Sequence, residues 1–368
     1  MSQPTFVLSS CGTSLLTNVS RSPEERKLLV DFANLGKREQ ASKHVGPCVI
    51  EIFERARQVL LNADPDSVAP LSAELNTISK YYGGGRPAKQ DYHLLLCSDT
   101  WIGEESANLL AHWLRQYVTN VEVKRQRDLQ TGELQAFQLA LSDLVQWCEA
   151  TLPLYRDHHY RIVFNLTGGF KSVQGFLQTL AMFYADEAIY VFESGHDLLR
   201  IPRLPIEITA GDSIRQYLLA FRRLAAGLES RDTAGIPETF LMRAGTQIAL
   251  SPWGSIVWER TRKDIYRSRL WPSPSPRITF SKRFESTAAS LEADRVGLIN
   301  ERMDDLARCI ESDRRYNIRS LDFKALKGDL KAPSTHEMDA WSDRDARRIF
   351  GHFEGLVFEV DEIGEGLH

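Results

Sequence analysis

The chain has 368 residues and a formal net charge of −4, with 45 Lys and Arg against 49 Asp and Glu. This length leaves room for roughly two or three domains, and this charge excludes nucleic-acid binding through bulk charge alone. No stretch approaches the about eighteen apolar residues of a membrane helix, and Met1–Pro4 lacks the basic segment of a secretory signal peptide. The sequence therefore predicts a cytoplasmic protein that has no membrane partner.

The cysteines are few and scattered. They show no paired spacing, which favours reduced thiols and excludes both a disulfide framework and a zinc knuckle. We predict no metal and no resident cofactor. The five positions are Cys11, Cys48, Cys97, Cys148 and Cys309.

Residues 1–205 alternate strand and helix signals, which predicts a parallel α/β sheet. The first strand, Thr5–Ser9, ends in the small polar turn 10–14, and the strand Tyr92–Cys97 ends in a similar turn at Ser98. The other elements predicted before residue 160 are helices over 23–33 and 47–61, a loop over 63–70, a glycine break at 83–87, a helix over 103–117, a strand over 121–124 and a helix over 137–150.

The stretch YRIVFNLTGGFKS, residues 160–172, has the clearest local pattern. Arg161–Asn165 is predicted as a buried strand, and it passes through Thr167, Gly168 and Gly169 into a helix over 170–183. Such a turn places backbone N–H groups and the first-turn Lys171 where a phosphate can approach. The alternative is an ordinary strand–turn–helix, and the dinucleotide-binding fingerprint is absent because no third glycine follows. A strand over 188–192 and a hairpin through 199–208 complete this region.

Two strand ends of one parallel sheet converge on one crevice, so the turns after the first strand and after Arg161–Asn165 are expected to meet. The segments SSCGTSLLTN and NLTGGFKS resemble the two signature motifs of the CRISPR-associated Rossmann-fold (CARF) sensor domains. This resemblance implies an α/β Rossmann-like fold that binds a cyclic oligoadenylate across a homodimer interface. The ligand-binding residues that it implies are Ser10, Gly12, Thr13, Ser14, Asn18, Ser98, Thr167, Gly168, Gly169, Phe170 and Lys171.

Residues 206–276 carry a different pattern. A helix is predicted from Asp212 to Leu228 and another over 237–243, and WPSPSP at 271–276 is typical of a linker. The segment IALSPWGSIVWER, residues 248–260, resembles a strand–turn–helix of winged helix-turn-helix domains, so a winged helix-turn-helix connector is expected. The basic residues that follow this segment are a candidate RNA phosphate contact: Arg260, Arg262, Lys263, Arg267 and Arg269.

Residues 277–368 predict an α+β domain. A strand passing into a helix over 277–291 and a helix over 296–310 precede a segment at 321–327 and strands over 336–341, 347–353 and 356–360. The segments ITFSKRFE, SLDFKALKG and STHEMDAWSDRDARRIFGHFEG resemble the RelE family of toxins, which cut messenger RNA in the ribosomal decoding site.

Cleavage by a ribose 2′-oxygen needs a base, cations around the phosphate and an acid for the leaving 5′-oxygen. The RelE resemblance implies that Lys and Arg supply this chemistry without a metal. Two features depart from the family: the segment DEIGEGLH carries no tyrosine, and acidic residues outnumber basic ones 19 to 15 from Arg277 onward. The catalytic candidates are Arg347, Arg344, Arg348, Lys324, Lys327, His336 and His352, with Lys331 as a further cation.

Taken together, the segments resemble a CARF–RelE fusion: a sensor over 1–205, a connector over 206–276 and a ribonuclease over 277–368. The resemblance implies an ancillary effector of a type III CRISPR system in which cyclic tetra-adenylate activates a homodimer that cuts messenger RNA on the ribosome. Two alternatives stay open. One is a ring nuclease that degrades the cyclic messenger with Lys171 and Ser10; the other is a ligand-controlled DNA-binding regulator that uses the run from Arg260 to Arg269.

Overall fold

The structure is a computed structural model. The residues that it describes are 3–33, 35, 47–127, 129, 134–169, 171–192, 197–204, 211–230, 232–327, 331–343 and 345–366. The chain forms two compact units, which span residues 1–207 and 208–368.

The first unit is built on a six-stranded sheet. Five strands are parallel and the last, β6, runs antiparallel to β5, in the order β3-β2-β1-β4-β5-β6. All six residues of β1 are buried, which matches the continuous apolar run expected of a central parallel strand. This sheet is compatible with the predicted Rossmann-like fold. The strands are β1 Thr5–Ser10, β2 Tyr92–Cys97, β3 Asn120–Arg125, β4 Arg161–Asn165, β5 Glu187–Val191 and β6 Leu198–Pro202.

Seven helices of the described ranges accompany this sheet. They are α1 Ser14–Val19, α2 Pro23–Asp31, α3 Pro47–Leu61, α4 Ala73–Tyr81, α5 Trp101–Leu114, α6 Leu134–Asp157 and α7 Lys171–Tyr184. The short helix α4 has no counterpart among the predicted elements. It begins at an N-cap, where the Ser72 hydroxyl accepts the Leu75 N–H at 3.1 Å. Its buried apolar residues, Leu75 and Ile78, join one core cluster with residues of α1, α3 and α5.

The strand order places β1 and β4 at a topological switch point. From β1 the chain first fills one side of the sheet with β2 and β3, and β4 then pairs with β1 on the other side. In an open parallel sheet the crevice beyond the carboxyl ends of two such strands is the usual ligand site. The turns after β1 and β4 therefore line the crevice of this unit.

The second unit begins with a helical segment and a hairpin. The helix predicted from Asp212 to Leu228 is two helices, α8 Gly211–Gln216 and α9 Leu218–Ala225. The helix predicted over 237–243 is wrong: after a single turn at Glu238–Phe240 the chain extends and pairs across a reversal at Gly245, whose φ is +60°. The strand and the helix predicted over 248–260 are confirmed, but Pro252, Trp253 and Gly254, predicted as the turn between them, form the first turn of the helix. The elements are β7 Leu241–Ala244, β8 Gln247–Leu250 and α10 Pro252–Ser268.

The rest of this unit is an α+β arrangement, as predicted. Strand β9 is followed by two helices and then by four strands. The five strands form one sheet of order β10-β11-β12-β13-β9, which is antiparallel except for the β13–β9 pair. The segment predicted at 321–327 contributes only a two-residue strand, because its other residues form loops. The elements are β9 Ile278–Phe280, α11 Lys282–Ala289, α12 Ala293–Glu311, β10 Lys324–Ala325, β11 His336–Trp341, β12 Arg347–Glu354 and β13 Val357–Gly364.

A buried polar network attaches residues 211–276 to the α+β part of the second unit. Arg222 is 2% exposed, and it donates to Asp304 of α12 at 2.8 Å and to the Pro272 carbonyl at 2.5 Å. The Trp271 N–H donates to Asn300 at 2.9 Å. Burial raises the pKa of Asp304 although Arg222 opposes this shift. Residues 271–276, predicted as a linker, are thus held against α9 and α12.

No helix within the described ranges is both long enough and apolar enough to cross a membrane.

Candidate functional site

The turns after β1 and β4 lie against each other at the switch point. The Ser10 hydroxyl donates to the Gly168 carbonyl at 2.6 Å. A Cβ atom on Gly12 would lie 3.0 Å from the Gly169 nitrogen, and Gly169 itself has a φ of +96°, which favours glycine. Side chains larger than hydrogen are therefore excluded from this contact. The structure brings together Ser10, Gly12, Gly168 and Gly169 as the sequence predicts.

A buried carboxylate lies between these two turns. Glu74 of α4 is fully buried, and its Oε1 accepts the Gly12 N–H at 2.8 Å. Its Oε2 accepts the Ser14 hydroxyl at 2.9 Å, and the same hydroxyl oxygen accepts the Ala73 N–H at 3.1 Å. Sequence reasoning missed Glu74. Ser72 as an N-cap, followed two positions later by the acidic Glu74, could have indicated the helix. Nothing in the local sequence shows that the Glu74 carboxylate faces inward.

A second set of hydrogen bonds fixes the turn after β4. The Thr167 hydroxyl lies 2.6 Å from that of Thr77 on α4, and it accepts the Val191 N–H at 3.0 Å. The buried Asn165 amide donates to the Ser9 hydroxyl at 3.2 Å and to the Glu74 carbonyl at 3.1 Å. Helix α4 therefore contacts both turns of the crevice.

Other residues predicted to bind the ligand take part in local structure. The exposed Asn18 donates to the Pro70 and Leu71 carbonyls, each at 3.2 Å. Ser98 is buried, and its hydroxyl lies 2.9 Å from that of Thr100, the N-cap of α5. Thr13 is half-buried at the start of α1 and accepts the Thr17 N–H through its carbonyl. Phe170 and the side chain of Lys171 lie outside the described residues.

Several predicted catalytic cations lie on or beside the C-terminal sheet, within ion-pair distance of carboxylates. Arg348 lies 3.2 Å from Asp322, 3.3 Å from Glu337 and 3.1 Å from Asp339. Lys324 shares Asp322 at 2.5 Å and holds the pKa of that carboxyl below its usual value. The structure thus brings Lys324 and Arg348 together, with an acidic residue between them.

The remaining cations divide into paired and exposed side chains. Arg347 lies 2.9 Å from Asp345 and 3.1 Å from Glu365, both of which are mostly exposed. Lys327 is exposed, and Arg344 lies outside the described residues. Among the residues that the structure describes, no ion pair joins Arg347 or Lys327 to the carboxylates around Arg348.

His352 lies in a cavity of about 460 Å³ whose lining includes Arg283, Lys331 and Ser334. Its Nδ1 is 3.0 Å from both carboxylate oxygens of Asp361, and the Ser334 hydroxyl donates to Asp361 at 2.6 Å. The hydrogen bond to Asp361 raises the pKa of His352. A protonated imidazole held in this way can donate a proton through its other nitrogen.

A β-bulge supplies Asp361 to this cavity. In the β12–β13 ladder Phe350 faces Glu362 and Gly351 faces Val360, so Asp361 has no partner across the strands. Glu362 pairs with Lys331 at 2.8 Å and with Arg283 at 2.5 Å.

Three side chains of the cavity have the spacing of metal ligands. Ligand atoms of His352, Glu354 and Glu359 lie within 4.8 Å of one another. These side chains could hold a divalent cation, but Glu354 is exposed, and acidic groups at a surface commonly lie this close without an ion.

His336 lies in a different environment. Its ring stacks on Phe323 at 5.2 Å, and Arg314 lies 2.9 Å from its Nε2. Burial, with the nearby Arg314 charge, lowers the pKa of His336. The pKa of His352 is raised and that of His336 is lowered, so His352 is the better suited of the two to act as an acid.

Sequence reasoning also missed a set of exposed cations beyond the end of α12. Arg314, Arg315 and Arg319 are exposed, and Arg314 has a positive φ of 66°. Within the described parts of the chain, none of them, nor Lys327, lies within ion-pair distance of a carboxylate. We call Arg314, Arg315 and Arg319 the basic edge. These three arginines lie in the short segment RRYNIR, which carries no longer run of like charge, so the sequence pattern did not reveal them.

The basic run of α10 is largely engaged within the second unit. Arg262 lies 2.8 Å from Glu259 and 3.7 Å from Glu301 of α12. Arg267 lies 2.6 Å from Asp294, and Arg269 stacks on Trp271 at 3.8 Å. Three of the five basic residues predicted to contact DNA or RNA are therefore engaged in contacts within the second unit.

Five strands of the sheet and the second turn of the crevice, but not β1 and the first turn, fall within a match to a known family. Residues 69–204 match the family model described as CRISPR-associated protein (Cas_APE2256). No curated protein matches the chain. The segment matched to Cas_APE2256 contains Glu74, Ser98, Thr167, Gly168 and Gly169, and it ends within the first unit. This part of the chain is therefore similar to a CRISPR-associated protein.

Proposed function

We propose that this protein is a CRISPR-associated effector in which a cyclic oligoadenylate binds the crevice of the first unit and activates RNA cleavage by the second. The observation that carries the proposal is the meeting of two glycine-containing turns at the switch point of a sheet that matches a CRISPR-associated family. Backbone N–H groups at such a crevice suit phosphodiester oxygens. Cyclic tetra-adenylate is the ring size we propose, and a homodimer would present two such crevices to one symmetric ring.

The proposed effector activity is endonucleolytic cleavage of messenger RNA by a RelE-like domain over 277–368. The arrangement of a strand and two helices followed by four antiparallel strands of the same sheet supports this assignment. In the proposed reaction a carboxylate of the cavity around His352 takes the proton of the ribose 2′-hydroxyl, and the 2′-oxygen attacks the neighbouring phosphorus. The bond from phosphorus to the 5′-oxygen breaks, and a 2′,3′-cyclic phosphate forms. His352 protonates the leaving 5′-oxygen and Asp361 holds its imidazole.

The ion pairs of the C-terminal sheet support the proposal that RNA cleavage depends on the ribosome. Arg348 and Lys324 are each held by carboxylates, so an isolated RNA must displace these acids before its phosphate can pair with either of these two cations. A ribosome that positions the message supplies the binding energy for this exchange. The middle segment, which we propose is winged-helix-like, links the two domains and is held to the second by Arg222.

Neither alternative function gains support from a specific contact. In the ring-nuclease alternative Ser10 orients the attacking oxygen, yet its hydroxyl is bound to the Gly168 carbonyl. In the DNA-regulator alternative the α10 arginines contact phosphates, yet Arg262 and Arg267 pair with acids of the same unit.

The test uses the full chain, ribosomes programmed with a defined message, and the same message as free RNA, each with and without cyclic tetra-adenylate. We expect ligand-dependent cuts in the ribosomal A-site and none in free RNA. Absence of cleavage of both RNAs while the ligand is bound contradicts the proposed activity. Opening of the cyclic ring in that case supports the ring nuclease.

A further inference from the structure

Glu74 occupies the place in the crevice where a ligand phosphate is expected. Its two carboxylate oxygens take the hydrogen bonds of the Gly12 N–H and the Ser14 hydroxyl, at 2.8 and 2.9 Å. Both donors belong to the first of the two turns assigned to the ligand. A carboxylate and a phosphate oxygen accept the same kinds of donor, so they compete for these two groups.

The second turn closes over this carboxylate. A Cβ atom built on Gly168 would lie 2.1 Å from Glu74 Oε1 and 2.4 Å from its carboxyl carbon. The Gly168 backbone therefore touches Glu74 with no room for a further heavy atom. Since Glu74 is 0% exposed, a phosphate group cannot reach Gly12 while the carboxylate remains in place.

Electrostatics leads to the same exclusion. The Gly12 N–H already donates to the Glu74 carboxylate, so a phosphodiester at this N–H would lie next to that carboxylate. Two like charges at hydrogen-bonding separation repel strongly in a site that is shielded from water. One anion must leave for the other to bind.

We propose that Glu74 is an internal anion that holds the crevice closed, and that a phosphodiester ligand engages Gly12 and Ser14 only after this carboxylate has moved away. The inference rests on the proposed function for the identity of the ligand. It goes beyond that function because it assigns the group that stabilises the ligand-free state and makes α4 the element that moves.

Helix α4 is suited to report this movement. Besides Glu74 it carries Thr77, whose hydroxyl contacts Thr167 in the other turn. Asn165 at the end of β4 donates to the Glu74 carbonyl. Displacement of Glu74 therefore alters the contacts of both turns, and the ligand selects between two arrangements of one helix.

The test compares wild type with Glu74→Ala and the isosteric Glu74→Gln, each as the full chain. Calorimetry measures the affinity for two probes, inorganic pyrophosphate and cyclic tetra-adenylate. Hydrogen exchange measures protection of the peptide that contains Gly12. We expect E74A to bind pyrophosphate at least about tenfold more tightly, which corresponds to about 1.4 kcal/mol, and to lose protection at Gly12 until the probe is added. E74Q, which keeps the shape without the charge, is expected to gain less.

Asp91→Asn is the matched control. Asp91 is also a buried carboxylate of this unit, held by the Thr5 N–H at 2.8 Å and the Tyr82 hydroxyl at 2.7 Å, but it precedes β2 at the opposite edge of the sheet. We expect D91N to leave the affinity for both probes unchanged. An equal gain in D91N means that general loosening opens the crevice, and it overturns the proposal.

The remaining outcomes separate the inference from the proposed function. Tighter pyrophosphate binding in E74A without binding of cyclic tetra-adenylate by any variant supports the internal anion and contradicts the proposed ligand. Equal or weaker pyrophosphate binding in E74A and E74Q, with the fold retained, overturns the internal anion whether or not the cyclic probe binds.

Discussion

In the crevice of the first unit and on the C-terminal sheet of the second, carboxylates occupy the groups that we expect to bind phosphate. The two regions differ in which groups bind these carboxylates. In the crevice a backbone N–H and a hydroxyl satisfy Glu74, which is fully buried. On the sheet, long cationic side chains satisfy Asp322, Glu337 and Asp339, which remain partly accessible to water.

Because of this difference, we expect the crevice to have two distinct states and the ion pairs of the sheet to exchange gradually. Backbone donors cannot swing away, so an anion in the crevice is either bound or displaced, and burial makes each state costly to leave. Arg and Lys side chains rotate, and solvent screens their ion pairs, so phosphates replace carboxylates in small steps. We expect substitutions in the crevice to act on stability and on ligand affinity, and substitutions on the sheet to act on cleavage.

The largest effect is expected for Gly168→Ala. Its new Cβ atom collides with Glu74 Oε1, so we expect the first unit to lose about 3 kcal/mol or more in urea unfolding. The double variant G168A/E74A removes the colliding carboxylate and is expected to recover much of this loss. Additive losses in the double-mutant cycle would show that Gly168 does not contact Glu74.

Arg347→Ala is expected to separate cleavage from stability. Its partners Asp345 and Glu365 are 64% and 81% exposed, so these ion pairs add less than about 1 kcal/mol. The RelE resemblance implies that Arg347 serves as a cation for the reacting phosphate, so we expect its loss to reduce the cleavage rate by about a hundredfold. Arg295→Ala, which removes an ion pair to the exposed Asp343, is the control. Equal rates for R347A and wild type on programmed ribosomes would remove Arg347 from the proposed site.

The basic edge is expected to contribute to RNA binding without contributing to chemistry. We expect the double variant Arg315→Ala/Arg319→Ala to bind single-stranded RNA about tenfold more weakly and to lower the slope of log affinity against log salt by about 1.4. Arg243→Ala, whose side chain pairs with Glu238 far from this edge in the sequence, serves as the control. An unchanged salt slope would show that these arginines do not contact phosphates.

The smallest effect is a shift in pH dependence. Asp361 raises the pKa of His352, so in wild type the protonated acid persists to higher pH. We expect Asp361→Asn to move the alkaline limb of the cleavage profile to lower pH, and Asp343→Asn to leave it in place. The same raised pKa stabilises the fold at pH values below the ordinary pKa of histidine, and this contribution is lost as pH rises through the folded value. An alkaline limb that stays unchanged in D361N would show that His352 is not the acid.

Patterns within a few residues were sufficient for much of the fold. The strands Tyr92–Cys97, Arg161–Asn165 and His336–Trp341 have the predicted bounds because short apolar runs or alternating patterns end there. Helix α4 was missed because nine residues between a loop and a glycine break carry little periodicity. The helix expected over 237–243 was wrong because pairing with β8 outweighs local propensity.

For the site, the sequence alone determined that two glycine-containing turns end strands of one parallel sheet, since turn chemistry is local and parallel strands share an edge. Only the tertiary structure decided what those turns meet. Glu74 reaches Gly12 across 62 positions, and Asp361 reaches His352 because a bulge turns it toward the cavity. Whether a charged residue is free or paired depends on neighbours distant in the chain, and no local pattern encodes them.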